Sequence, residues 1–97
     1  MRLFHRTSLD PDLVLQEADA HFGALGLDRL QTEGRARHFR GPLGTLAISV
    51  KMEGGHYTFV EAHTDQVGES RLDKNVKKFF VRLHRIADPR HQLEAAY

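Results

Sequence analysis

Five cationic side chains near the end of the chain recur at the spacing of one helix face. At about 100° per residue they fall within an arc of roughly 80°, and no acidic residue lies inside that arc. They are Arg71, Lys74, Lys78, Arg82 and Arg85, which we call the basic stripe. Lysine and arginine bind nucleic-acid phosphates by releasing counterions, so such binding weakens steeply as salt rises. The basic stripe therefore predicts phosphate contacts, whereas the alternative interpretation is a solvated helix face.

A second basic cluster lies earlier in the chain. It consists of Arg35, Arg37 and Arg40, with His38 between them. If the fold brings this cluster near the basic stripe, the two would form one cationic surface. We expect these three arginines to assist the stripe in binding phosphates.

Glu61 and His63 form a third group, because residues two apart on a strand share one face. A carboxylate beside an imidazole in a low-dielectric setting could act as a general acid or base. The pair is a candidate pocket for a ligand or for catalysis. The alternative interpretation is a structural pair near the open end of the sheet.

The sequence predicts neither a metal site nor a cofactor. It contains seven histidines and no cysteine. No two histidines have the close spacing of zinc ligands, and His56 and His63 fall on opposite faces of one strand. The glycine pairs are explained by turns rather than by a phosphate-binding loop.

Composition predicts one small domain. The chain has 97 residues, of which 40% are hydrophobic and 28% charged, a typical balance for a globular protein. No apolar run approaches the roughly 18 residues of a membrane span, and 1–6 is too short and polar for a signal peptide. We therefore expect a cytoplasmic protein with a single domain at 1–90, a short tail at 91–97 and no membrane partner.

The elements that position these groups follow from hydrophobic spacing and from capping residues. Asp10 and Pro11 predict the start of a first helix, and Gly26 predicts its end. Gly34 marks a bulge within an edge-like third element. The predicted elements are a strand at 2–7, a helix at 10–26, strands at 28–40, 45–52 and 57–64, and a helix at 70–88.

This order, β-α-β-β-β-α, predicts a two-layer α+β sandwich with a mostly antiparallel sheet and both helices on one face. A two-residue loop at Gly54 and Gly55 would place Ile48 opposite Glu61 and Leu46 opposite His63 on the apolar, helix-covered face. The reverse face would then be flat and nearly uncharged. It would carry Thr45, Ala47, Ser49, Val60 and Ala62, and is a candidate surface for a homodimer.

Charge is segregated between the two predicted helices. The first, 9–26, carries four acidic residues and no Lys or Arg, whereas 69–90 carries seven bases against three acids. Two neighbouring helices of opposite charge would attract each other. A cationic surface for an anionic partner has the same sequence signature, and net charge does not separate the two.

In element order and length, residues 1 to about 90 resemble the ribosome hibernation-promoting factors, which are small β-α-β-β-β-α proteins. The last helix is also similar to that of the double-stranded-RNA-binding domain in having Lys74, Lys77 and Lys78 near its start. These resemblances imply a two-layer fold and an RNA or ribosome partner. Element order alone does not carry function, so we transfer no functional residue from either family.

Two functional hypotheses follow. The first is a non-enzymatic domain that binds RNA or the ribosome through the basic stripe. The alternative is a self-associating interaction or regulatory module that uses the reverse face of the sheet. A pocket at Glu61 and His63 is a third and smaller possibility.

Overall fold

The computed structural model describes residues 1–30 and 34–88, and the predicted tail at 91–97 lies outside these ranges. Seven helices and strands occur within the described residues. They are β1 (Arg2–Thr7), α1 (Pro11–Ala24), β2 (Asp28–Leu30), β3 (Ala36–Gly41), β4 (Gly44–Glu53), β5 (Tyr57–Thr64) and α2 (Arg71–Ala87).

The strands form an antiparallel sheet in the order β1-β5-β4-β3-β2, which places the first strand at one edge. The predicted α+β class and the predicted order of elements are confirmed, with one refinement. The region predicted as a single strand, 28–40, contributes both β2 and β3, and these pair with each other from Asp28 opposite Arg40 to Leu30 opposite His38. The described sheet therefore has five strands.

Both helices pack on the same face of the sheet. Helix α1 contacts β3, β4 and β2, and α2 contacts β1 and β5. Alternate residues of β4, such as Ile48 and Val50, are buried beneath them, while Ser49 between the two is exposed. Phe22, Phe39 and Phe79 join the two layers, with ring centroids 5.2 to 5.5 Å apart around Phe22. One hydrophobic core thus fixes both helices against the sheet.

Helix α1 begins and ends as its sequence predicts. Asp10 is the N-cap residue, and Pro11 occupies the first helical position. At the other end Gly26 adopts a φ of 83°. Its amide donates to the Gly23 carbonyl and that of Leu27 to the Phe22 carbonyl, as in a Schellman motif. A residue with a side chain would be strained at Gly26, so the glycine determines where α1 stops.

Helix α2 is attached to the end of β5 by a buried carboxylate. The Ser70 hydroxyl accepts from the Asp73 amide at 3.0 Å and donates to the Asp73 carboxylate at 2.8 Å. The other carboxylate oxygen of Asp73 accepts from the Thr64 hydroxyl at 2.7 Å. Asp73 is 1% exposed. This network satisfies the first turn of α2 and fixes the direction in which the helix leaves the sheet.

The predicted register of the β4–β5 hairpin is wrong by one residue. Glu53 pairs with Tyr57, so the loop contains His56 as well as Gly54 and Gly55, and Ile48 lies opposite Ala62 rather than Glu61. A shift of one residue turns every side chain of a strand to the other face. The observed register buries Val60 and Ala62, whereas the predicted one would have buried a carboxylate and an imidazole at high cost.

The face of the sheet that the helices do not cover is called the open face. Its side chains come from all five strands, and the cross-strand registers define them. They include Arg2, Phe4 and Arg6 of β1, Tyr57, Phe59, Glu61 and His63 of β5, Thr45, Ala47, Ser49, Lys51 and Glu53 of β4, Ala36, His38 and Arg40 of β3, and Asp28 and Leu30 of β2.

Candidate nucleic-acid interface

The basic stripe lies on the outer side of α2. The opposite side of this helix is buried against the core, because its apolar residues recur at the same helical period as the cations. These buried residues are Leu72, Val76, Phe79, Phe80 and Leu83. Arg71, Lys74, Lys78 and Arg85 are exposed, and Arg82 is partly buried. Hydrophobic packing thus orients the stripe towards solvent.

Arg82 is the one member of the stripe that reaches a carboxylate within the described residues. Its Nη2 and Nε lie 2.6 and 2.9 Å from Glu17 Oε2 of α1. For the other four members, no carboxylate of residues 1–30 or 34–88 lies within 4.0 Å. Lys77, which is outside the stripe, lies 3.9 Å from Glu69. The acidic first helix therefore neutralises the stripe at one position rather than along its length.

Asp19, another acid of α1, interacts with the sheet instead of with α2. Its carboxylate lies 2.8 Å from Arg29 Nη1 and 3.2 Å from Arg37 Nε. Two guanidinium groups on the helix-covered face of β2 and β3 thus share one carboxylate. Asp19 of α1 therefore pairs with arginines of the sheet rather than with the cations of α2.

The second basic cluster does not form one surface with the stripe. Arg37 lies on the helix-covered face and is paired with Asp19, whereas Arg40 lies on the open face opposite Thr45. Arg35 is exposed just before β3. Because β3 alternates its side chains between faces, three nearby arginines in the sequence point in different directions.

His21 occupies the boundary between the two helices, a position that sequence reasoning missed. Its ring centroid lies 4.9 Å from that of Phe22 and 5.5 Å from that of Phe79. Burial lowers the pKa of His21, and the positive charges of Arg82 and Lys78 lower it further. Helical spacing from Ala18 and Leu25 indicates that His21 faces near the core, but the apolar pattern alone does not identify its cationic neighbours.

Glu61 and His63 lie together on the open face, so their predicted low-dielectric setting is wrong. His63 Nε2 lies 2.5 Å from Glu61 Oε1, and Arg2 Nη2 lies 3.1 Å from Glu61 Oε2. The hydrogen bond from His63, and to a smaller extent the one from Arg2, holds the pKa of Glu61 below its usual value. A carboxylate stabilised in its charged form at the surface is a weak base, so the arrangement serves pairing better than proton transfer.

The open face also carries aromatic side chains from β1 and β5. Phe4 is 47% exposed and Tyr57 is 54% exposed. The centroids of Phe4 and Phe59 lie 5.4 Å apart. The predicted register would have turned Tyr57 and Phe59 towards the core, because they belong to the same alternating set as Glu61. The presence of charged Glu61 in the same alternating set was the signal that could have corrected it.

The predicted self-association surface changes for the same reason. Val60 and Ala62 are fully buried against the helices, which corrects their assignment to the reverse face. Thr45, Ala47 and Ser49 do lie on the open face as predicted. The surface therefore carries more charged and aromatic side chains than the sequence indicated.

Within residues 1–30 and 34–88, no group of three or more histidine, aspartate or glutamate side chains is arranged to hold a metal ion. Neither helix of this part of the chain is long and apolar enough to cross a membrane. A scan against protein-family models found no family that matches the chain, and a search of curated proteins found no matching relative.

Proposed function

We propose that this domain is a non-enzymatic RNA-binding module in which α2 contacts the phosphates of structured RNA, free or in the ribosome. One observation carries the proposal. Four exposed cations on one face of α2 have no carboxylate within 4.0 Å among the described residues. They are Arg71, Lys74, Lys78 and Arg85. A helix that merely needed solubility would gain from mixed charges and from glutamate–lysine pairs four residues apart.

The proposal is also supported by how α2 is held. Five of its apolar side chains are buried in the core, and its first turn is fixed by Asp73, so the four cations project from a rigid element. At 1.5 Å per residue, the stripe extends about 21 Å from Arg71 to Arg85. Such a row of charges spans several phosphates of a duplex.

The test is the salt dependence of binding to a short RNA duplex, measured by fluorescence anisotropy. Four phosphate contacts predict a slope of about −3 to −4 in a plot of log association constant against log salt. The variant carrying Lys74→Gln and Lys78→Gln is expected to bind more weakly and to reduce the magnitude of the slope by about 2. Absence of binding at low salt, or a slope near zero, would refute the proposal.

Lys77→Gln provides the matched control, because Lys77 lies on the same helix but outside the stripe. It is expected to leave the slope nearly unchanged. Lys77→Gln is compared with Lys74→Gln or Lys78→Gln as single variants. If the control changes the slope as much as either of them, only the total charge of the helix matters, and specific contacts by the stripe are contradicted.

Self-association through the open face is the second candidate. The observation that favours it is the exposure of Phe4 and Tyr57, because exposed apolar side chains grouped on one surface often mark protein contacts. Sedimentation velocity over a wide concentration range tests it. A dimer that Ala47→Lys dissociates would support this candidate, and a monomer at the highest concentration would exclude it.

A further inference from the structure

The open face brings aromatic rings and cations together in an arrangement that the basic stripe does not use. Arg6, Phe59 and Lys51 lie in one cross-strand row, because Phe59 of β5 is opposite Arg6 on one side and Lys51 on the other. The Arg6 guanidinium carbon lies 5.0 Å from the Phe59 centroid, and Lys51 Nζ lies 5.6 Å from it.

Phe4 extends this arrangement along the edge of the sheet. It lies diagonally to Phe59 on the neighbouring strand, and the Arg2 guanidinium carbon lies 4.6 Å from its ring centroid. Tyr57 is two residues from Phe59 on the same face of β5, about 7 Å along the strand. Three rings and three cations therefore lie together on one side of the open face, with the cations over Phe4 and Phe59.

We infer that this part of the open face binds unpaired nucleotides of RNA, with bases stacked on Phe4, Phe59 and Tyr57 and phosphates held by Arg2, Arg6 and Lys51. The inference deepens the proposed function, on which it rests, by assigning single-stranded RNA to a surface separate from α2. Phe4 and Tyr57 are exposed and Phe59 is half-buried. Aromatic side chains on an open sheet are suitable platforms for bases, because every base has a flat face that can stack on a ring.

Charge favours a nucleic-acid strand over a second copy of this chain. The open face of the described residues carries four cations and three acids, Arg2, Arg6, Arg40 and Lys51 against Asp28, Glu53 and Glu61. A second copy would bury these groups and remove their hydration, which costs free energy unless each finds a new partner. A single strand brings its own phosphates and leaves much of the surface in water.

The ion pairs already present do not block such binding. Arg6 Nε lies 2.8 Å from Glu53 Oε1, and this arginine is mostly exposed, as is Arg2 beside Glu61. Exposed pairs of this kind are weak, so a phosphate can compete for the guanidinium group. Both acids also keep the arginines beside the rings before RNA arrives.

The experiment compares two probes on the full chain, a single-stranded oligouridine and a short RNA duplex. Phe4→Leu with Phe59→Leu keeps apolar side chains but removes the stacking rings. We expect this double variant to bind oligouridine about tenfold or more weakly and the duplex within about twofold of the unmodified protein. Val67→Ala is the control, because it shortens a 94% exposed apolar side chain away from the open face.

The outcomes separate this inference from the proposed function. If the ring variant leaves oligouridine binding unchanged while stripe substitutions weaken both probes, the inference fails and the proposed function stands. If the ring variant weakens both probes equally, base stacking is refuted. If it instead converts a dimer to a monomer without changing RNA affinity, the occupant of the open face is a second copy and the inference is overturned.

A measurement on the unmodified protein covers the case in which the double variant does not fold. Addition of oligouridine is expected to shift the aromatic ring proton resonances of Phe4, Tyr57 and Phe59 in NMR spectra, because a stacked base changes the local ring-current field. Resonance shifts confined to α2 would contradict a site on the open face.

Discussion

Helix α2 and the open face both present cations to solvent, but they hold them in different ways. Arg71 and Lys74 of α2 have no carboxylate within 4.0 Å among the described residues, whereas Arg2 and Arg6 of the open face each have both a carboxylate and an aromatic ring nearby. Uncompensated charges attract an anion over distance and are sensitive to salt. Compensated charges beside rings favour short-range contacts. The two surfaces therefore suit different features of a nucleic acid.

The comparison depends first on which face of β5 the helices cover. One pair of substitutions tests this, and it has the largest effect on stability that we expect. Ala62→Lys places an uncompensated ammonium group in the core and is expected to destabilise the domain by more than about 4 kcal/mol. Ala47→Lys, on the open face, is expected to change stability by less than about 1 kcal/mol. Urea unfolding measures both, and similar stabilities for the two variants would contradict the observed register.

Local sequence signals predicted the α+β class and both helices. The end of α1 at Gly26 and the cap at Ser70 depend on nearby residues, so they could be derived without tertiary contacts. The register of β5 could not, because two glycines are compatible with loops of two or three residues. The choice between these loops depends on the cost of burying Glu61 and His63, which is a property of the whole sheet.

The candidate site likewise has features that depend on local sequence and features that depend on tertiary contacts. The basic stripe follows from helical spacing alone and was predicted in full. Whether each cation is free depends on where α1 lies, and the sequence did not show that Glu17 reaches Arg82 while Asp19 reaches Arg29. The exposure of Tyr57 and the position of Phe59 on the open face could not be derived locally, because both depend on the register of β5.

The buried carboxylate at the start of α2 tests how the stripe is positioned. Asp73→Ala removes the acceptor for Thr64 and Ser70 and is expected to cost about 2 kcal/mol in the free energy of unfolding. Asp73→Asn retains an oxygen acceptor and is expected to cost less. Equal losses in the two variants would show that the negative charge of Asp73 is what stabilises α2.

The boundary between the helices is expected to weaken in mild acid. Because the pKa of His21 is lowered in the folded protein, the unfolded chain binds a proton first as pH falls. The contribution of His21 to stability is therefore complete above the unfolded pKa of about 6.5 and declines as pH falls below it.

The difference between the unmodified protein and His21→Gln isolates this effect, because His5, whose pKa is also lowered by burial, is present in both. Unfolding in urea at pH 8 and at pH 5 is expected to show a smaller loss of stability on acidification for the variant. Equal losses would indicate that the pKa of His21 does not differ between the folded and the unfolded protein.

The smallest expected effect concerns Arg82 and Glu17, the one ion pair between the acidic helix and the basic stripe among residues 1–30 and 34–88. Glu17→Gln removes the partner of Arg82 and so adds a fifth uncompensated cation to the stripe. The pair is partly exposed, so its loss is expected to cost less than about 1 kcal/mol of stability. Binding to duplex RNA is expected to strengthen, and the salt slope to become steeper by about 1.

Asp12→Asn is the matched control for this change, because Asp12 also belongs to α1 but has no cationic group within 4.0 Å among the described residues. It removes the same unit of charge at a distance from the stripe, so it is expected to raise affinity less and to leave the slope nearly unchanged. If the two variants behave alike, α1 acts on α2 through its overall charge. If Glu17→Gln alone changes the slope, a single ion pair determines how many of the stripe's cations are available to phosphates.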